Sequence, residues 1–324
     1  MNTVVIITTG GTIAMKYDPV VDGLVPAVSG EDLIKAVPPL KDVAKVEVVE
    51  YSNVPSGYMT PQMMFEIAHM ADEFCLRQEV AGVVVTHGTD TIEETAYMLG
   101  LVCKTNKPVC ICGAMRGATD MGYDGPANIL AAVKVAASPE ACGKGALLVM
   151  DDEIHAATEV TKTHSTSCAT FASPGWGPIG HVYEDMVVFR RQPTNLQKLQ
   201  PEALTEDVYL LKSYAGMDEF LFKCLADKPI KGLVVEALGC GNVPLPVKAG
   251  IEYVAAKGIP VVLATRVYSG RVAPVYSYEG SANSMKASKI ILAGELSGQK
   301  ARLKLMLALS LTSNHEELQK IFQP

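Results

Sequence analysis

Short apolar runs alternate with segments of helical period along the whole chain. Several runs are rich in β-branched residues and apolar on both faces, which is typical of buried parallel strands. Strands are predicted at residues 4–8, 46–51, 82–86, 109–113, 146–150, 232–236 and 260–264. This alternation predicts an α/β fold with mainly parallel sheets.

Three helix starts support this order. A Thr-Pro pair at residues 60–61 predicts an N-cap followed by proline at the first helical position. Asp90 precedes two glutamates that suit a first helical turn. Asn314 with a glutamate three residues later predicts a capped start for the last helix.

A polar stretch at residues 190–195 (RRQPTN) interrupts the alternation and predicts a linker. We expect an N-terminal domain at residues 1–190, a linker at 191–211 and a C-terminal domain at 212–324. The expected fold class is two α/β domains. The larger, N-terminal one is flavodoxin-like with a mainly parallel sheet, and the smaller, C-terminal one has a parallel sheet.

Composition excludes several classes of protein. Of 324 residues, 48% are hydrophobic, which excludes a disordered chain. A net charge of -7 argues against a nucleic-acid partner. Because the sequence has no apolar run of about 18 residues, we expect no spanning helix and no membrane partner. Residues 4–7 (VVII) follow no Lys or Arg and are interpreted as a strand, not a signal peptide. A cytoplasmic location is expected, with a periplasmic one as the alternative if a signal was removed before residue 1.

The cysteines are scattered and form no CxxC motif. We expect thiols buried in the core, with Cys110 and Cys112 on one face of a strand. This pattern favours a reducing compartment. The eight are Cys75, Cys103, Cys110, Cys112, Cys142, Cys168, Cys224 and Cys240.

The residues that follow the strands are the most informative, because ligands of such sheets bind beyond the carboxyl ends of the strands. Residues 8–14 (TTGGTIA) follow the first strand, and their two glycines permit a tight turn and close backbone approach. Thr9 and Thr12 bring hydroxyls to this turn. A plain strand-to-loop turn is an alternative. A phosphate site is disfavoured, because neither glycine motif for phosphate is present.

A second glycine–threonine turn follows the third strand, at residues 86–91 (THGTDT). Gly88 frees the backbone and Thr89 offers a hydroxyl. Asp90 either caps the next helix or belongs to a site. His87 is either a catalytic base or a histidine satisfied in the core. Capping alone does not explain a second Gly-Thr pair at a second strand end.

Lys162 lies among hydroxyl residues at 160–164 (VTKTH). A desolvated lysine beside an aspartate can keep a hydroxyl nucleophile or a water in a reactive proton state. The acidic residues 151–153 are interpreted as solvated surface, and no metal is expected, because histidines at metal-ligand spacing are absent. Two threonines, an aspartate and a lysine suit acyl transfer from a small amide or ester.

At these residues the sequence resembles the bacterial-type, type II-like L-asparaginases and glutaminase-asparaginases. The paired signatures are residues 9–14 (TGGTIA) and 87–91 (HGTDT). The resemblance continues through 113–116 (GAMR), 124–128 (DGPAN), 160–163 (VTKT), 169–171 (ATF), 239–242 (GCGN) and 299–302 (QKAR). It spans nearly the whole chain. Each motif alone is moderately specific, and the ordered set is highly specific.

The resemblance implies catalytic roles for matching residues. Thr12 resembles the nucleophile, which attacks the side-chain amide carbon and forms an acyl-enzyme. Thr89, Asp90 and Lys162 resemble a second triad, in which the lysine and aspartate tune the Thr89 hydroxyl and a water.

The resemblance also implies how substrate is bound. Ser56 matches the serine that binds the α-carboxylate, Asp90 an α-amino contact, and Asn242 a residue that reaches a neighbouring subunit's site. A homotetramer of intimate dimers with intersubunit sites is implied, without a metal or organic cofactor. The implied substrate-binding set is Gly11, Ser56, Gly57, Gly88, Thr89, Asp90, Ala114 and Asn242.

Some positions depart from the family pattern. The family usually carries a loop tyrosine hydrogen-bonded to the nucleophile, and here Leu24 stands in its place, with Tyr17 nearby as a candidate substitute. Ser56 is followed by Gly57 and Tyr58, where the family has a polar residue and an aspartate. We hypothesise that Tyr58 supplies the missing hydroxyl near the nucleophile.

The second domain also lacks a clear match to the family residue that recognises the substrate amine. For the glutamate that contacts the substrate amine, Glu279 is the nearest candidate, and an ungapped alignment places Ala282 there. An unpaired ammonium in a desolvated site costs more than about 1–3 kcal/mol per missing hydrogen bond. Weaker discrimination of free asparagine, or a different amide, is therefore predicted.

Three interpretations follow. The first is an amidohydrolase acting on L-asparagine or L-glutamine. The second is the same chemistry on an N-substituted or non-standard amide, for which Gly57 leaves room. The third is a non-enzymatic amino-acid-binding module, against which Lys162 argues because chemistry needs it more than binding does. Residues 15–29 are expected to act as a lid, with Gly23 and Pro26 suited to a hinge.

Overall fold

The computed structural model describes residues 2–323. The chain divides into two compact units, one ending at Lys198 and the other beginning at Leu199. Each unit has its own sheet and its own apolar core. The division falls inside the stretch 191–211 expected to be a linker, and the exact domain limits stay a prediction.

The first unit is built on one large sheet and two small antiparallel pairs. The sheet has the strand order β12-β11-β8-β7-β6-β5-β1-β4. The strands are β1 (Thr3–Gly10), β2 (Met15–Asp18), β3 (Gly23–Pro26), β4 (Lys45–Val54), β5 (Val80–Thr86), β6 (Val109–Cys112), β7 (Ala146–Met150), β8 (Glu153–Ala156), β9 (Thr161–Lys162), β10 (Phe171–Ala172), β11 (Gly180–Val182) and β12 (Val187–Phe189).

The parallel part of the large sheet consists of β4, β1, β5, β6 and β7. Counted along the chain, these strands stand in the flavodoxin-like order 2-1-3-4-5. The expected α/β fold with a mainly parallel N-terminal sheet is confirmed. The sheet continues into the antiparallel strands β8, β11 and β12. These three strands are not predicted from the sequence, because they are too short to show a period.

The helices of the first unit begin where caps permit. The helices are α1 (Gly30–Lys35), α2 (Leu40–Val43), α3 (Pro61–Cys75), α4 (Ile92–Val102) and α5 (Gly125–Ala137), with 3-10 turns at Thr12–Ala14, Ser56–Tyr58 and Pro139–Ala141. The Thr60 hydroxyl accepts from the Met63 N–H at the start of α3, as predicted. At α4 the N-cap is Thr91, so capping by Asp90 is wrong, and that carboxylate bonds to Lys162 instead.

The core of the first unit lies on both faces of the central strands. The side chains of residues 4–7 in β1 are fully buried, which explains their unbroken apolar run. Burying one such valine or isoleucine contributes about 1.5–3 kcal/mol. Helix α5 packs against β5, β6 and β7, and α3 packs against α4.

The second unit has a smaller sheet with the order β13-β14-β15-β16, and its paired strands are parallel. This confirms the expected smaller C-terminal parallel-sheet domain. Asn314 caps the last helix by accepting two backbone N–H groups, as predicted. The elements are β13 (Val208–Lys212), β14 (Gly232–Ala237), β15 (Val261–Thr265), β16 (Ile291–Leu292), α6 (Phe220–Ala226), α7 (Leu245–Ala256), α8 (Gly298–Leu311) and α9 (His315–Ile321), with a 3-10 turn at Lys286–Ser288.

The segment expected to be a lid forms the hairpin β2–β3, in which Tyr17 lies opposite Leu24. Two hydrogen bonds attach this hairpin to the loop after β6. The Ala118 N–H donates to the Met15 carbonyl, and the Tyr17 N–H donates to the Thr119 hydroxyl. The hairpin is therefore an ordered element docked on the first unit.

The cysteines are all free thiols, and Cys75, Cys103, Cys110 and Cys112 are buried as predicted. The prediction of core thiols is wrong for two others, Cys142 and Cys224, which are exposed. A single cysteine on a helix or after a turn carries no sequence signal of which way it faces. Within residues 2–323, no helix combines the length and apolar character needed to cross a bilayer.

Gly82 allows β5 to pack closely against its neighbours. A Cβ added there would lie 2.4 Å from the Ala136 carbonyl oxygen and 2.8 Å from that of Pro108. We expect Gly82→Ala to lower the free energy of unfolding by about 1–3 kcal/mol through overpacking. Gly57→Ala is the matched control, because no atom lies within 4 Å of its added Cβ. Urea unfolding of the two variants checks this, and equal stabilities would contradict the packing account.

Candidate active site

The two glycine–threonine turns touch through their main chains. β1 and β5 are neighbouring parallel strands, with Thr8 beside Thr86, so the turns that follow them leave the same edge of the sheet. A Cβ added to Gly11 would lie 2.2 Å from the Gly88 Cα, and Gly11 has a φ of +83°. Glycine is therefore required at this contact.

A third segment, the Ser56–Tyr58 turn, packs against the same point. A Cβ on Gly88 would lie 2.8 Å from both Cβ and Oγ of Ser56. The buried Ser56 Oγ accepts the Asp90 N–H at 3.2 Å, and its carbonyl accepts the Thr91 hydroxyl at 2.9 Å. The predicted residues Gly11, Ser56 and Gly88 are thus brought together in one place.

Lys162 reaches this place from the β9–β10 hairpin, where it pairs with Phe171. Its Nζ lies 3.0 Å from Thr89 Oγ1 and 2.8 Å from Asp90 Oδ1. The lysine side chain is 16% exposed, while that of Asp90 is 77% exposed. Because an ammonium only donates, the Thr89 oxygen accepts from Lys162, and the proton of the Thr89 hydroxyl remains available to another group.

Thr12 opens the 3-10 turn that follows Gly11, and its side chain is half-buried. In the part of the chain that the structure describes, its hydroxyl has no hydrogen-bond partner. The Thr12 carbonyl accepts from the Met15 N–H, which closes the turn. The backbone of Thr12 is thus held in the turn, while its hydroxyl takes no part in closing it.

His87 is a fully buried histidine with both ring nitrogens bonded. Its Nδ1 lies 2.8 Å from the Gly88 carbonyl and its Nε2 lies 2.9 Å from Thr95 Oγ1. A carbonyl only accepts, so Nδ1 carries the hydrogen and Nε2 accepts from Thr95. Burial lowers the pKa of His87 to about 4. The core-histidine alternative fits this geometry, and a base exposed to substrate does not.

Ala114 and its neighbour Gly113 complete the surroundings of the second turn. Ala114 is fully buried, and a Cβ on Gly113 would lie 2.5 Å from the His87 carbonyl oxygen and 3.2 Å from Thr89 Cγ2. The loop after β6 is therefore packed directly against Thr89.

The tyrosines considered as substitutes for the missing loop tyrosine lie at the surface. The Tyr17 hydroxyl donates to Asp22 at 2.5 Å, and the Tyr17 side chain is half-exposed. Tyr58 is 72% exposed. Leu24 packs on Gly117, where an added Cβ would lie 2.7 Å from its Cδ2. A role for either tyrosine near Thr12 stays a prediction.

The candidate residues of the second unit differ in their exposure. Asn242 is half-buried in a turn that it closes with Leu238 through two backbone hydrogen bonds. Glu279 is exposed, whereas Ala282 is buried in the core of that unit. The predicted contacts of Asn242 and Glu279 with substrate stay predictions.

The sequence predicts no role for residues 123–128, although residues 124–128 belong to the motifs that resemble the family. The Asp124 carboxylate accepts the N–H groups of Met115 and Arg116, both at 3.0 Å. The Asn128 side-chain amide donates to the Gly113 carbonyl at 3.0 Å. An Asp-Gly-Pro sequence signals a helix start, and it gives no indication of these contacts with the loop after β6. Among residues 2–323, no cluster of three His, Cys, Asp or Glu side chains is placed to bind a metal ion.

The lowered pKa of His87 predicts a specific loss of stability in acid. Above pH 6.5 the histidine is neutral whether the chain is folded or not. As pH falls from 6.5 towards 4, the unfolded chain takes up a proton that the folded chain refuses, so the free energy of unfolding decreases. At pH 4.5 this loss amounts to about 2–3 kcal/mol.

We expect His87→Gln to remove the part of this acid-induced loss that is due to His87. Between pH 7 and pH 4.5, the free energy of unfolding of the variant should therefore fall less than that of the wild type. Urea unfolding at both pH values measures the difference. His155, whose pKa burial also lowers, is present in both proteins and cancels. An identical pH dependence would contradict the assignment.

Comparison with known proteins assigns both units. Residues 3–195 match the family model "Asparaginase, N-terminal", and residues 207–322 match "Glutaminase/Asparaginase C-terminal domain". The chain is 37% identical to L-asparaginase 2 of Bacillus subtilis, over 98% of this chain and 85% of that protein. It is 32% identical to the glutaminase-asparaginase of Pseudomonas fluorescens biotype A, over 98% and 89% of the two chains.

A solved structure agrees with these matches. The crystal structure of a probable cytoplasmic L-asparaginase from Campylobacter jejuni superposes with a TM-score of 0.89, at 34% identity, and covers 99% of each chain. The family models together cover nearly the whole sequence. This chain belongs to the asparaginase family.

Proposed function

We propose that this protein hydrolyses the side-chain amide of L-asparagine, with L-glutamine as a second substrate, to the acid and ammonia. Its relatives are named L-asparaginase and glutaminase-asparaginase, which are amidohydrolases. The observation that carries the proposal is the contact of Lys162 with both Thr89 and Asp90, beside the point where the Thr12 turn meets the Thr89 turn.

The first step is acylation of Thr12. Its oxygen attacks the amide carbon and gives up the hydroxyl proton, the C–N bond breaks, and the nitrogen takes up that proton and leaves as ammonia. The ester that remains joins the acyl group to Thr12 Oγ1. The backbone N–H of Thr89, which has no hydrogen-bond partner within residues 2–323, is a suitable donor to the oxyanion.

The second step is hydrolysis of that ester by water. The Thr89 hydroxyl, which accepts from Lys162, can pass a proton between the water, the leaving group and the lysine. Asp90 lies 2.8 Å from the lysine nitrogen, so the partly buried Lys162 ammonium has a counter-charge beside it while it donates to Thr89.

Substrate recognition is proposed for the residues around these turns. Ser56 is placed to bind the α-carboxylate and Asp90, whose carboxylate is largely exposed, to bind the α-amino group. We further propose a homotetramer of intimate dimers in which Asn242 reaches a neighbouring subunit's site. A cytoplasmic location is proposed as well, with the periplasm as the alternative.

A second candidate is the same hydrolysis on an N-substituted asparagine or glutamine. The observation that favours it is the open space at Gly57, where an added Cβ would meet no atom within 4 Å. Gly57 directly follows Ser56, which is proposed to bind the α-carboxylate. A substituent on the neighbouring α-amino group would therefore find room beside Gly57.

Removing the nucleophile or the lysine tests the mechanism. We expect Thr12→Ala and Lys162→Met each to lower kcat for L-asparagine by about 10²–10⁴-fold, because the attack or its proton transfer is lost. Lys134→Met is the matched control, since this half-buried lysine bonds, among the described residues, to the carbonyls of Tyr183 and Glu184 and not to either threonine turn. Ammonia release at steady state is the measurement.

Two outcomes would contradict the mechanism. Lys162→Met with wild-type turnover would remove the lysine from the chemistry. A wild-type protein that binds L-asparagine without releasing ammonia would instead indicate the non-enzymatic binding module.

A panel of amides tests recognition of the amine. Succinamic acid lacks the amine and so loses the proposed contact of the amine with Asp90. Loss of this one contact, at about 1–3 kcal/mol, predicts that kcat/KM falls by only about 5–150-fold relative to L-asparagine. L-glutamine, D-asparagine and N-acetyl-L-asparagine are assayed beside it. A much larger loss would show that amine recognition is complete, and a preference for the N-acetyl compound would favour the second candidate.

A further inference from the structure

We propose that Tyr123 is a positioning residue for the Thr12 nucleophile, because its hydroxyl bonds to the turn that carries Thr12. This inference rests on the proposed function, in which Thr12 attacks the amide carbon. Tyr123 lies far from Thr12 in sequence, in the loop between β6 and α5, and it does not belong to the Lys162 contacts.

The contact is a direct hydrogen bond. The Tyr123 hydroxyl donates to the Ile13 carbonyl at 2.6 Å. Within the Thr12–Ala14 turn, the Gly11 and Thr12 carbonyls accept from the N–H groups of Ala14 and Met15. The Ile13 carbonyl is instead bound by a side chain from another part of the unit. Tyr123 therefore fixes the direction of the peptide unit between Ile13 and Ala14, which begins one residue after Thr12.

The tyrosine ring is kept in place by its surroundings. A Cβ added to Gly125 would lie 2.4 Å from both Cζ and the hydroxyl oxygen of Tyr123, so the ring lies directly against that glycine. The half-buried ring also packs on the apolar core cluster that includes Ile13. Burial raises the pKa of Tyr123, so its hydroxyl stays protonated and donates throughout the neutral range.

The residues next to Tyr123 bind the loop that contacts the other threonine. The Asp124 carboxylate and the Asn128 amide bond to residues 113–116, and Gly113 lies against Thr89. One segment, residues 123–128, is thus bonded directly to the Thr12 turn and to the loop that packs against Thr89, and through these two contacts it sets the relative positions of the two turns. A nucleophile displaced by about 1 Å loses about 10²-fold in rate, so this bond has a large effect on turnover.

Tyr123→Phe tests the inference, because it keeps the ring and removes only the donor. We expect kcat for L-asparagine to fall by about 10–100-fold, with KM changed less than about twofold, because attack is affected and binding is not. Tyr51→Phe is the matched control. Its hydroxyl donates to Glu66 at the same 2.6 Å, away from the Thr12 turn, and its removal should change kcat less than about twofold.

A second variant separates the hydrogen bond from stability. Gly125→Ala keeps the hydroxyl but displaces the ring, and we expect it to lower kcat in the same way as Tyr123→Phe. Thermal unfolding of each variant shows whether the fold is retained at the assay temperature. For the folded variants, a rapid-mixing assay should show a slower first turnover of ammonia release.

Several results would overturn the inference. They are an unchanged kcat in Tyr123→Phe, a loss no larger than that of Tyr51→Phe, or a loss that appears as a raised KM alone. Failure of the proposed function is recognised separately. In that case the wild-type protein itself releases no ammonia from L-asparagine or L-glutamine.

Discussion

The structure of the site depends on one steric constraint, the contact of two main chains at Gly11 and Gly88. An added Cβ on Gly11 would lie 2.2 Å from the neighbouring Cα, a distance that no side chain can occupy. Two adjacent parallel strands end at this point, so each turn presents the threonine that follows its glycine near the same place. Any residue with a side chain at Gly11 would push the two turns apart. The hydroxyls of Thr12 and Thr89 would then also move apart.

The ion pair at the proposed site contributes little to folding. Asp90 is mostly exposed, and a largely solvated ion pair contributes only about 0–1 kcal/mol to folding. The same pair gives the partly buried Lys162 a nearby counter-charge and directs one of its protons to Thr89. Residues 123–128 act differently, through side-chain hydrogen bonds to the main chain of the Thr12 turn and of the loop after β6.

Much of the fold follows from sequence because buried parallel strands leave an unbroken apolar run, as in residues 4–7 and 83–85. The edge of the sheet where ligands bind could then be named, and with it the turns at Gly11 and Gly88. The short strands β8, β11 and β12 could not be predicted from the sequence, because runs of three or four residues show no period. The exposed thiol of Cys142 and the start of α4 directly after Thr91 depend on local geometry that several neighbouring residues could equally provide.

The contacts that position Thr12 could not be predicted, since they are made between distant parts of the chain. Tyr123 and Ile13 are 110 residues apart, and a tyrosine before an Asp-Gly-Pro helix start has no distinguishing pattern. Such a bond forms only once the sheet has brought the ends of β1 and β6 to the same edge. It is therefore a product of the tertiary fold and has no local sequence signal.

The central claim is that the two threonine turns act on one carbonyl, with Thr12 as the group that is acylated. Rapid acid quenching of the protein during turnover of L-asparagine, followed by mass spectrometry of its peptides, tests this most directly. The account predicts an aspartyl ester on the peptide that contains Thr12, and none in Thr12→Ala. An ester on Thr89, or ammonia release that proceeds undiminished in Thr12→Ala, would contradict it.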